Sequence, residues 1–124
     1  MKEILLLGFG GFAGTTLRYG VQHFASKDLA IAFPWGTFLV NISGCFLIAL
    51  LYGIASKEQW LTAEWRLLLI TGFCGGYTTF STFAYENITM LQQSNYTGFA
   101  LYSISTFGLC LLSVFAGLSI IKIF

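Results

Sequence analysis

The residues best equipped for chemistry in this chain are uncharged. Thr78, Thr79, Ser81 and Thr82 crowd into the stretch GFCGGYTTFSTF (72–83), with Phe80 and Phe83 set among them. Thr37, Asn41 and Gly44 form a stripe on an earlier apolar segment, and Tyr102, Thr106, Cys110 and Ser113 make a mostly polar line on the last one. Hydroxyls and amide N–H groups can replace the water around an anion, and aromatic ring edges carry the positive part of the ring quadrupole. A small hard anion loses a large hydration energy on leaving water, so it needs close donors along its whole route. The same hydroxyls can present oxygens to a cation, and the residue types alone leave the sign of the ion open. His23 is the sole histidine and has no triad or metal-ligand partner at a usable spacing, so an enzyme is not expected. Cys45, Cys74 and Cys110 sit singly in apolar runs with no CxxC, and they read as small packing residues.

Such groups act strongly only where water is scarce, and the composition supplies that setting. The chain has 124 residues, 56% hydrophobic and 9% charged, and its mean hydropathy is +0.79. A soluble domain carries about 25% charged residues. A core cannot absorb this much apolar surface in so short a chain, so the surrounding solvent is lipid. Net charge is +1 with no basic patch, which argues against nucleic acid as a partner.

Four spans account for the hydrophobicity, over about 4–25, 34–55, 63–91 and 98–122, in a single domain of residues 1–124 with no soluble domain expected. The start, MKEILLLGFG, resembles a signal peptide, but its apolar run continues past Arg18 without a clear cleavage site and reads as a retained first helix. Ser26, Lys27 and Asp28 interrupt the apolar pattern, and Pro34 opens the second span, where its missing N–H is not needed. The stretches SKEQWLT (56–62) and QQSNYTG (92–98) are loops, and Trp35, Trp60 and Trp65 fall at span ends, as an interfacial aromatic belt requires. The third run is too long for one straight helix, because about 20 residues cross about 30 Å of hydrocarbon. A break near Gly75 to Thr79, two glycines followed by two β-branched threonines, resolves the excess. Backbone groups freed there must be buried in protein or line a wet or ion-filled site. The alternative is a kinked helix whose threonines bond back to their own carbonyls.

Spacing then assigns faces. Gly10, Gly14 and Arg18 recur every four residues, so close helix packing on that side turns Arg18 toward protein, unless the helix ends early and Arg18 snorkels. Asn41 must find partners for its amide, either as helix-to-helix glue or in a pathway. Beyond the break, Phe80, Phe83 and Asn87 share a face, with Ser81, Thr82 and Glu86 beside it. Polar lines on three helices beside a broken one read as the lining of a narrow pathway.

The segments GGFAGTTLRY (10–19), PWGTFLVNISG (34–44) and GFCGGYTTFSTFAYE (72–86) resemble the Fluc (CrcB) fluoride channels in order and spacing across nearly the whole chain. The resemblance implies an all-α integral membrane protein with four transmembrane helices, the third broken mid-membrane, assembled as an antiparallel, dual-topology homodimer with two fluoride pores. It implies passive fluoride export across a bacterial inner membrane, protecting the cell from fluoride toxicity. Phe80 and Phe83 would line the anion pathway with Asn41, Ser81, Thr82, Thr37, Tyr102 and Thr106. Arg18 and Glu86 would belong to its vestibule and frame. The backbone carbonyls of Gly75 and Thr78 would hold a structural Na⁺ that is not transported. Three positions depart from the commonest pattern: Tyr77, Thr15 and Cys110, the last putting a weakly donating thiol where the polar track often has serine.

Charge placement is compatible with two orientations. Lys2, Lys57, Arg66 and Lys122 fall on one side, and Lys27, with Arg18, on the other, a modest bias. The main rival is a small multidrug-type proton-coupled transporter, whose chemistry needs a membrane-embedded carboxylate. The first helix has no acid after Glu3, and Glu86 is the only mid-chain acid within a span. A non-transporting scaffold would explain the glycine packing but not the polar lines.

Overall fold

The computed structural model describes residues 1–27 and 33–124. The interruption read at Asp28 and the placing of the Lys27 charge lie outside the described residues and side chains. Among the described residues the chain is all helical. Helix α1 spans Lys2–Lys27 and α2 spans Trp35–Lys57. The third span begins as α3 (Ala63–Arg66), continues through a widened π-type segment over Leu67–Cys74 and the short α4 (Gly75–Tyr77), and resumes as α5 (Phe80–Gln92). Helix α6 spans Tyr96–Ile123. Four stretches, Lys2–Ser26, Trp35–Lys57, Ala63–Gln92 and Tyr96–Ile123, are long and apolar enough to cross a membrane. Large apolar side chains such as Phe9, Phe12, Ile104 and Phe115 point outward along them, where lipid replaces water.

Glycine sets the packing. A Cβ on Gly10 would lie 2.2 Å from the Leu68 carbonyl oxygen, and one on Gly14 would lie 2.1 Å from that of Phe73. From the other side, a Cβ on Gly76 would meet the Gly11 carbonyl oxygen at 2.6 Å. Helix α1 and the first half of the third span therefore touch backbone to backbone, in step, because neither presents a side chain at the contact. The most extensive contact joins α2 and α6, which run parallel: Gly117 abuts Ala49 and Gly53 abuts Ile121.

The break is sharper than expected, and it starts later. Gly75 and Gly76 remain helical; only Thr78 (φ −81°, ψ 158°) and Thr79 (φ −151°, ψ 115°) are extended. The physical reason lies in the neighbours. Gly76 admits α1, which compensates for glycine's poor helix propensity, whereas β-branched threonine adopts extended backbone at little cost. Thr79 then caps α5, its Oγ1 accepting from the Thr82 N–H at 3.3 Å. The segment before it is wound more loosely, with the Gly75 N–H reaching back to the Ile70 carbonyl.

Candidate functional site

Three side chains from two other helices hold the break. The Asn41 amide clamps Thr79 on both sides: Nδ2 donates to the Thr79 carbonyl at 2.9 Å, and the Thr79 N–H donates to Oδ1 at 2.8 Å. Arg18 reaches inward, its Nη1 donating to the Thr78 carbonyl at 3.3 Å, so the arginine faces protein. Thr15 Oγ1 donates to the Gly76 carbonyl at 3.4 Å. Thr78 Oγ1 bonds back to the Cys74 carbonyl at 2.9 Å, the local arrangement a kinked helix would use, beside a true interruption. The unusual Tyr77 is buried, with its hydroxyl 2.9 Å from Ser43 Oγ on α2.

Four carbonyls, those of Gly75 to Thr78, lose their helical N–H at the break; Thr15 answers that of Gly76 and Arg18 that of Thr78. In an unbroken helix the Gly75 carbonyl would accept from the Thr79 N–H, which is taken by Asn41. The Thr78 carbonyl would accept from the Thr82 N–H, which is taken by the Thr79 cap. Among the described residues the Thr78 carbonyl keeps only the Arg18 bond, which leaves one lone pair. These oxygens suit a hard cation. Among the described residues no group of three His, Cys, Asp or Glu side chains could hold a metal.

Below the clamp lies a cavity of about 330 Å³, mostly apolar, walled by Asn41, Cys45, Thr79, Phe80, Phe83, Thr106 and Cys110 among others. The Phe80 and Phe83 ring centroids are 5.7 Å apart, and Phe83 lies 5.0 Å from Tyr102. Phe80 is 78% exposed in the single chain. Thr106 is 5% exposed, and its hydroxyl has no hydrogen-bond partner among the described residues. Helix α5 starts at the same wall, so its first N–H groups and the positive end of its dipole lie beside the cavity.

A second cavity, of about 310 Å³, opens at Gln22, Pro34, Thr37 and Glu86. Here Glu86 accepts from Thr37 Oγ1 and from the Tyr102 hydroxyl, each at 2.7 Å, one on either oxygen. Gln22 Nε2 donates to Thr37 Oγ1 at 3.2 Å, which ties α1 into the same network. The structure thus gathers Asn41, Phe80, Phe83 and Thr106 on one cavity and Thr37 and Glu86 on another, with Tyr102 between them. Ser81 and Thr82 stand apart, beside the Thr79 hydroxyl at 3.3 Å and 3.1 Å in the α5 cap. Sequence reasoning missed Gln22, although it extends the Gly10–Gly14–Arg18 stripe by one more step of four. It also missed Ser103, which donates to Asn87 Oδ1 at 2.7 Å and pins α6 to α5.

Four apolar spans, an interrupted third helix and polar groups gathered at the interruption define a small multi-pass membrane protein organised around that break. The chain belongs to the CrcB family: residues 5–118 match the family described as CrcB-like protein, Camphor Resistance (CrcB). It is 40% identical over 122 residues to the fluoride-specific ion channel FluC of Rhizobium etli, covering 98% of each chain. It is 41% identical to the FluC of Rhizobium meliloti over the same length and coverage. With the FluC of Leptospira interrogans it shares 43% identity over 101 residues, 82% of this chain and 80% of that one.

Proposed function

We propose that the chain is the subunit of a fluoride-selective channel that lets fluoride leave a bacterial cell passively across the inner membrane and so limits its toxicity. The observation that carries this is the Thr106 hydroxyl, a buried donor without a partner on the wall shared by Phe80 and Phe83. A buried hydroxyl left unsatisfied costs about 1–3 kcal/mol, so it is retained where something binds it. The neighbouring donors fit an anion: the Asn41 amide, the amides at the start of α5 and the two ring edges. Fluoride, compact and a strong acceptor, gains most from such short contacts; chloride is larger, and these few donors stabilise it less. The relatives named fluoride-specific channels support the same reading. Glu86 speaks against proton-coupled drug transport, since both its oxygens are engaged by hydroxyls.

The working unit in this reading is a homodimer of inverted subunits. Its support is the uncovered flank of the break: a Cβ on Gly75 would meet nothing within 4 Å, and Phe80 extends outward. An inverted copy brings a second break to the same depth, and the Gly75 and Thr78 carbonyls of both chains would together hold a structural Na⁺. When bound, that ion supplies positive charge that satisfies carbonyls lipid cannot.

The test is fluoride efflux from liposomes holding purified protein, with chloride as control and no proton gradient. Fluoride should leave rapidly and chloride should not; equal rates overturn the selectivity. Phe80→Ile and Phe83→Ile keep apolar bulk but lose the ring edge, and each should slow efflux by at least about tenfold while the oligomer survives on gel filtration.

A further inference from the structure

Cys45 on α2 and Cys110 on α6 are free, half-buried thiols that lie against one another. The packing of the two helices puts them there. Ala49 abuts Gly117 and Gly53 abuts Ile121, so the two helices run in parallel step, and Cys45 and Cys110 both precede that contact, about a turn apart in height, on the same cavity wall. Both line the cavity that holds Phe80, Phe83 and Thr106. Cys74, by contrast, is 1% exposed and packed against the break.

We propose that Cys45 and Cys110 form a two-thiol site for a soft, two-coordinate metal ion of the Cu(I), Ag(I) and Hg(II) class, and that occupancy closes the cavity. Thiolates select soft cations, and the ligand count sharpens the choice. Zinc needs four ligands, and the apolar wall around the pair has no further strong donor set to give it. A linear two-coordinate ion needs only the two sulfurs. Binding is simple exchange: each thiol gives up its proton, two metal–sulfur bonds form, two protons leave, and nothing is oxidised or reduced. A divalent ion then becomes a neutral dithiolate, which an apolar cavity accepts without an unpaired charge. Closure, unlike binding, rests on the proposed anion pathway running through this cavity.

The probe is mercuric ion, added to purified Cys74→Ser protein. One metal per chain should be retained through gel filtration in excess monothiol, with two thiols lost for each metal bound. Cys45→Ser and Cys110→Ser should each lose that retention. Two metals per chain on separate thiols, or equal retention by the single-thiol variants, overturns the site. The metal-to-thiol ratio of the intact pair decides the matter even if a pair variant fails to fold. In liposomes, the same metal should stop fluoride efflux, and a dithiol should restore it. Metal retained at this ratio with efflux unchanged upholds the site and overturns closure, which is a failure of the pathway reading alone.

Discussion

Thr106 separates structure from transport better than any other side chain here. Its hydroxyl has no partner to lose, so Thr106→Val should leave thermal unfolding in detergent unchanged or raise its midpoint. Fluoride efflux should nevertheless fall by about tenfold, the loss of one good donor along the route, and Thr106→Ser should restore it. Asn41 is the opposite case. Asn41→Leu strands the buried N–H and carbonyl of Thr79, at about 1–3 kcal/mol each, and should lower the unfolding midpoint markedly. Asn41→Asp keeps the acceptor for the Thr79 N–H but loses the donor to its carbonyl and adds a negative charge at the cavity wall. It should destabilise less than leucine and still abolish efflux. That Asn41 matters was legible, because an amide in an apolar helix must find partners. Its partner was not, since the clamp depends on how α2 registers against a break 38 residues away.

At the scale of elements, the third span carries the argument. Its excess length and its glycine–threonine run announced an interruption, and the structure has one. The division of labour between the two residue types was hidden, because it depends on α1. Glycine weakens a helix when alone, but Gly76 lies where the Gly11 carbonyl oxygen allows no Cβ, and the contact keeps that turn wound. The π-type winding before it was also illegible, since a slip from one carbonyl to the next leaves the apolar pattern almost unchanged. Gly14→Ala should force α1 off the Phe73 backbone and cost about 1–3 kcal/mol. Gly8→Ala, with open space at its Cβ, should be neutral or stabilising through helix propensity. Paired unfolding curves in one detergent check both, and equal midpoints would remove the backbone contact from the stability of the fold.

For the whole molecule, composition was the strongest signal, because an outward-facing apolar surface on all sides needs lipid whatever the details of packing. The inverted pairing is expected from the resemblance alone: Lys2, Lys57, Arg66 and Lys122 against Lys27 and Arg18 is too modest a bias to choose one orientation. In a background lacking Cys45, Cys74 and Cys110, one cysteine added at Gln59, in the exposed loop after α2, should label from both sides of the membrane in cells that still export fluoride. Labelling from one side alone in such cells would rule out inverted pairing. Gly75 offers a second check: Gly75→Ala is free of clashes within one chain, so any loss of dimer on gel filtration would report a partner at that flank.

The clamp on the break also has a direction in time. Among the described residues, every side chain from another helix that bonds the freed backbone precedes it in the sequence: Thr15 and Arg18 on α1, Asn41 on α2. A ribosome delivers those residues to the membrane before Thr78 and Thr79 emerge. The nascent chain therefore meets its most awkward segment with the answering groups already in place, and α6, carrying Thr106 and Cys110, closes the cavity last.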